Sequence, residues 1–156
     1  MMNTPEIEGV AHEQELVETY DDVQFINDSK AIDVTTTAQA LGSYDVIYWI
    51  AGGQSDTADY NALTPYLGKV RHSFLIGEDA PQLAAWLEAQ QAPYTLTETL
   101  QRAVQAAAHM AWEEDLEGAT VLFSPACASL DQSTSLEARG ELFRNAVHAL
   151  KVEAAG

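Results

Sequence analysis

Three short stretches hold most of the residues that could do chemistry. Asn27-Asp28-Ser29-Lys30 pairs a carboxylate with an ammonium two positions apart. Gly52-Gly53-Gln54-Ser55-Asp56 is a small-residue turn, and Ser124 to Gln132, "SPACASLDQ", carries two serines, an acid and Cys127, the single cysteine of the chain. Each follows an apolar run directly. An acid can accept from hydroxyls, a lysine can meet an anion, and hydroxyls with main-chain amides ahead of a helix can hold a carboxylate or phosphate. The competing reading of "SPACASLDQ" is a strand-to-helix turn in which Pro125 and small residues pack closely and Cys127 fills an apolar gap.

Other chemistries lack their signatures. No Gly-x-Ser-x-Gly elbow supports Ser124 or Ser129 as a hydrolase nucleophile, and a lone thiol makes neither a disulfide nor a cysteine zinc cage. His12, His72, His109 and His148 are scattered without ligand spacing and read as surface or packing residues, so no metal site is expected. The acids Glu113, Glu114 and Asp115 read as a solvated helix end.

The elements that must position these turns alternate. Short apolar, often β-branched runs at Val23 to Ile26, Val46 to Ala51, Ser73 to Ile76, Pro93 to Leu96 and Thr120 to Phe123 predict strands. Ala-rich and Leu-rich segments at Thr35 to Leu41, Tyr60 to Leu67, Pro81 to Gln91, Thr97 to Glu114 and Leu136 to Val152 predict helices, with Asp79 ahead of Pro81 as a start signal and Gly118 as a stop. Parallel strands need crossover helices, so the expectation is an α/β, Rossmann-like three-layer domain. Its mostly parallel sheet has five or six strands, with helices on both faces. Trp49 and Tyr48 in the second run, and the stripe Tyr60, Leu63, Tyr66 and Leu67, read as core.

At 156 residues the chain is expected to form a single domain, with residues 1–22 an acidic arm packed on residues 23–156. Seven basic against twenty-four acidic residues give a net charge of -17, which argues against nucleic acid and anionic membrane as partners. The lone cysteine and the absence of a secretion-type start or a long apolar stretch point to the cytoplasm. In an open parallel sheet, ligands gather beyond the carboxyl ends of strands, so the three turns are expected to converge on one edge.

"FINDSKA" at 25–31, "IYWIAGG" at 47–53 and above all "LFSPACASLDQ" at 122–132, in this order and spacing, resemble the C-terminal domain of the Mur ligases. Within that family they look most like the UDP-N-acetylmuramoyl-alanine:D-glutamate ligases. "ARGELF" at 138–143 resembles the segment after the serine loop. The resemblance implies a domain that closes over ATP and D-glutamate during ATP-dependent amide-bond formation in peptidoglycan precursor synthesis, with N-terminal and central ligase domains as its partners.

By the same resemblance, Asp28 matches the acid that binds ribose, His12 belongs to the nucleotide-side pair, and Lys30 is the lysine near the reacting groups. Ser129 and the Leu130 amide match the carboxylate-binding turn. ATP and magnesium are implied as cofactors of the full ligase, with none bound to this chain alone.

Departures are equally specific. The family arginine after the histidine is here Glu13, its threonine after the lysine motif is Ile32, its side-chain-gripping lysine aligns with Asp56, and an aromatic position becomes Leu136. Loss and reversal of a desolvated ion pair lowers affinity by several powers of ten. The phosphate loop Gly-x-x-x-x-Gly-Lys-Ser/Thr is missing, so the chain alone is expected not to turn over ATP. The alternative to a ligase domain is a non-catalytic scaffold or binding protein that kept the fold and lost the site.

Overall fold

The computed structural model describes residues 12–53, 60–127 and 135–155. Six strands form one sheet in the order β1-β2-β6-β3-β4-β5. They are β1 (Glu15–Tyr20), β2 (Val23–Asn27), β3 (Val46–Gly52), β4 (Val70–Ile76), β5 (Tyr94–Glu98) and β6 (Ala119–Phe123). Strands β2 to β6 are mutually parallel wherever they pair, and β1 is antiparallel to β2.

Alternation of side chains along the strands divides the core in two. Phe25, Tyr48, Ile50, Phe74, Val121 and Phe123 point to one face. There they meet α3 (Leu100–Glu114) and α4 (Leu136–Ala155) through residues such as Val104, Ala108, Phe143 and Val147. Ile26, Ile47, Trp49, Leu75 and Leu122 point to the other face, against α1 (Val34–Leu41), α2 (Ala80–Ala89) and the 3-10 helix Tyr60–Lys69. Tyr48 and Trp49 are both fully buried, one on each face, as expected of a strand covered on both sides. The domain is the expected Rossmann-like α/β sandwich.

Several boundaries differ for local reasons. Part of the acidic arm is an edge strand, because Leu16, Val17 and Tyr20 supply enough apolar contact to pair Glu15–Tyr20 with β2. The segment read as a helix from Tyr60 winds as a 3-10 helix with Pro65 inside it. Thr97 and Glu98 finish β5, and Thr99 is the cap of α3, its hydroxyl accepting from Arg102 N at 3.2 Å. That helix ends at Asp115, in the left-handed region at φ 51, three residues before Gly118.

Candidate functional site

Because β2, β3 and β6 are parallel neighbours, their carboxyl ends lie on one rim, and main-chain bonds join the turns that leave them. Asp28 N donates to Phe123 O at 2.8 Å, Gly52 N to Pro125 O at 3.1 Å, and Ala126 N to Ala31 O at 3.1 Å. The glycine turn approaches β4 very closely: a Cβ on Gly52, whose φ is +127, would lie 2.0 Å from Ile76 O. Only a glycine fits there. Gly53 O then accepts from Asp79 N at 2.8 Å at the start of α2.

Asp28 is buried between the turns. Its Oδ2 accepts from Ser124 Oγ at 2.8 Å and its Oδ1 from the Gln14 main-chain N–H at 3.1 Å. Ser124 Oγ is also 2.9 Å from Thr37 Oγ1. Burial pushes the Asp28 carboxyl up from its ordinary 3.8 to about 6, outweighing the hydrogen bonds that favour the ion. Glu13 adds repulsion and Arg139 opposes it. A cavity of about 360 Å³ opens on this acid, lined by Glu13, Gln14, Asp28, Lys30, Thr36 and Gln39.

Lys30 stands half-exposed at the mouth of the cavity, its Nζ 4.0 Å from Glu13 Oε2. The residue expected to repel phosphate is thus drawn toward the cation expected to attract it. His12 is 5% exposed, and its ring turns away from the cavity lining: Nδ1 is 2.8 Å from Asn27 Nδ2. Its main chain still reaches the site, since Lys30 N donates to His12 O at 3.0 Å. Ile32 is 47% exposed beside the turn.

Cys127 is fully buried, with Sγ 4.0 Å from Asp79 Oδ2. Burial first and the Asp79 charge second push its thiol up to about 12, so it is a packing residue rather than a nucleophile. The gap it fills is polar on one side, unlike the apolar one expected. Ser129, Leu130 and Asp56 lie outside the described residues, and so does the part of "SPACASLDQ" beyond Cys127. The other histidines make packing or surface contacts: His72 with Thr95, His109 with Trp112 and His148 with Glu18.

Two site-shaping residues escaped the sequence reading. Arg139 is wholly buried, with Nε donating to Ser29 O at 2.7 Å and Nη1 to Cys127 O at 2.8 Å. Glu15 Oε1 accepts from His12 N, Asn27 Nδ2 and Arg144 Nε, while its Oε2 accepts from Arg144 Nη2 at 2.6 Å. Two advance signals existed for Arg139: the family resemblance of "ARGELF" at 138–143, and the glycine at 140, which inside a helical pattern marks close approach.

A roomier and more apolar hollow of about 500 Å³ lies between the start of α3 and α4, lined among others by Ile76, Leu100, Leu142 and Ala146. Among the described residues its only charged side chain, Glu98, pairs with Arg102. The smaller cavity has the more ionisable lining, with Glu13, Asp28 and Lys30.

No family model matches the chain. Curated relatives do. It is 46% identical over 139 residues to the UDP-N-acetylmuramoylalanine--D-glutamate ligase of Rhodospirillum rubrum, covering 89% of this chain and 29% of that protein. The ligase of the same name from Paramagnetospirillum magneticum is 45% identical over 141 residues, covering 90% of this chain and 31% of the relative. That from Rhodopseudomonas palustris is 44% identical over 142 residues, covering 91% and 30%. The chain therefore spans about three-tenths of the length of the relatives it matches.

Among solved structures, the UDP-N-acetylmuramate-alanine ligase of Thermotoga maritima superposes with a TM-score of 0.55 at 11% identity, covering 92% of this chain and 31% of that one. That likeness carries the fold alone. In sequence the chain is homologous to UDP-N-acetylmuramoylalanine--D-glutamate ligases over about three-tenths of their length, and in fold it is like part of a Mur ligase.

Proposed function

We propose that this chain is the ligand-facing, non-nucleophilic domain of an ATP-dependent ligase that joins D-glutamate to a muramoyl-alanine precursor of peptidoglycan. In this reading ATP, magnesium, D-glutamate and the remaining ligase domains are its partners. The observation that carries it is Asp28: a buried carboxylate, held by Ser124 and the Gln14 amide, opening on a cavity at the carboxyl rim of a parallel sheet.

The donor set fits part of a nucleotide. Asp28, Thr36 and Gln39 suit hydroxyls, as on a ribose, and Lys30 suits an anion, but Glu13 opposes phosphate from the same rim. ATP would supply the activating phosphoryl group when bound. This chain's own residues would hold and orient: Asp28 accepts from ligand hydroxyls, Lys30 offers a charge, and none is placed as a nucleophile.

The second reading, a scaffold that kept the fold, is favoured by one contact, the Lys30–Glu13 approach of 4.0 Å that occupies the cation. Backbone amide NMR titration with Mg-ATP and with D-glutamate separates the two. The ligase reading expects millimolar or tighter binding with shifts centred on Asp28, Lys30 and Ser124, and Glu13→Arg should tighten Mg-ATP at least tenfold, about 1.4 kcal/mol. Silence from both the parent and the Glu13→Arg protein sinks the ligase reading and leaves the scaffold.

A further inference from the structure

The segment 138–143 is singled out by sequence yet has no role in the reading above. The structure places two of its residues, each unfavourable where it stands, against the same turn. Arg139 is a fully buried guanidinium, and among the described residues no carboxylate lies within ion-pair distance of it. Its bonds go to two main-chain carbonyls, Ser29 O and Cys127 O, and its Nη2 finds no partner. An apolar side chain of similar volume would serve stability as well or better than a buried cation that is offset mainly by the field of Asp28 and by two carbonyls. What an apolar residue could not do is tie those two carbonyls together.

Gly140 weakens a helix interior by about 1 kcal/mol relative to alanine. Its backbone does not need glycine, because no left-handed φ is found there; its surroundings do. A Cβ at this position would lie 2.1 Å from His12 Nδ1 and 2.6 Å from Ser29 Oγ. The missing side chain is therefore the seat of the His12 ring. Seating His12 fixes the chain beside it, since His12 O receives Lys30 N and, two residues on, Gln14 N reaches Asp28 Oδ1. One turn further along α4, Arg144 fastens the same stretch through Glu15.

We propose that Arg139 and Gly140 are the positioning pair of the Asp28 cavity. Arg139 pins the turn that carries Asp28 and Lys30 to the turn that carries Ser124. Gly140 seats the arm whose Glu13 and Gln14 form the cavity wall. Both act through other residues and neither lines the cavity. The role in ligand binding rests on the reading of that cavity as the ligand site.

The test uses the whole chain and, first, no ligand: carboxyl NMR titration of Asp28 together with amide hydrogen exchange. Arg139→Gln should move the Asp28 midpoint upward and speed exchange at Ala126 and Lys30 at least tenfold, with β3 amides little changed. Gly140→Ala should also raise the Asp28 midpoint, by displacing the Gln14 donor, and should loosen Gln14 and Lys30 while leaving Ala126 protected. Arg139→Lys keeps the charge but cannot grip both carbonyls, so it should loosen Ala126 with the Asp28 midpoint near the parent's.

If the α4 variants fail to fold, His12→Ala decides: it empties the seat without touching the helix, and Lys30 and Gln14 should loosen. Exchange that rises evenly over the sheet, with the Asp28 midpoint unmoved, overturns the proposal and makes these residues general stabilisers. A second arm adds Mg-ATP, for which Gly140→Ala and Arg139→Lys should each weaken binding at least tenfold. A parent protein that binds no ligand sinks the ligase reading alone, because the ligand-free measurements still decide the positioning pair.

Discussion

The two ends of the sheet treat polar groups in opposite ways. At the carboxyl rim, Asn27, Asp28, Ser29, Asp79, Ser124 and Arg139 are all buried and bonded across three turns and a helix. At the amino rim, Asp21, Asp22, Asp115 and Glu117 are exposed, and the turns reverse the chain through left-handed residues at Asp21, Asp22 and Asp115. Both rims are rich in acid, so composition cannot tell them apart. The difference lies in desolvation: the inward acid titrates high and demands partners, whereas the outward acids need only water.

The sharpest way to break this contrast is at Gly52. Gly52→Ala places a Cβ into Ile76 O on a left-handed backbone, and a loss of about 3 kcal/mol or more in urea unfolding is expected. A loss under about 1 kcal/mol would show the carboxyl rim to be as compliant as the amino rim.

Next in size is the effect of pH. Asp28 rises from 3.8 to about 6 on folding, so the folded state holds the proton more tightly. The associated stability is full below the unfolded value and is lost as pH rises through about 6. From pH 7 to pH 4 the parent should gain about 2 kcal/mol relative to Asp28→Asn, read as the difference between their stability–pH curves. Curves that run parallel refute the buried charge. The comparison between variants is needed because Glu15 and Glu114, both lowered by their partners, push the other way.

Smaller effects sharpen the picture. Thr99→Ala removes the cap that accepts from Arg102 N and should cost about 1 kcal/mol in thermal or urea unfolding. At the amino rim, Asp115→Gly relieves a left-handed aspartate and should stabilise by about 0.5 kcal/mol, the sign opposite to that of Gly52→Ala.

Legibility in the sequence followed the same divide. The central strands β2, β3 and β6 were readable because burial on both faces demands unbroken apolar runs such as Ile47 to Ala51. Strand β1 was not, because Glu15 and Glu18 interrupt its apolar positions, and the partners that explain Glu15 include Asn27 and Arg144, the latter 129 residues away. The turns and Asp28 were readable from strand-exit logic and family likeness. Arg139 was not, since a charged residue in a helical pattern reads as solvated until a fold surrounds it. Gly118 and Asp115 changed roles at the end of α3 because a left-handed cap accepts aspartate as well as glycine.

The antiparallel course of β1 has a topological outcome. Glu15 pairs with Asn27 and Tyr20 with Val23, so the strand begins at the carboxyl rim and runs away from it. Glu13 and Gln14, set between His12 and that strand, are consequently brought to the wall of the Asp28 cavity by chain adjacency alone.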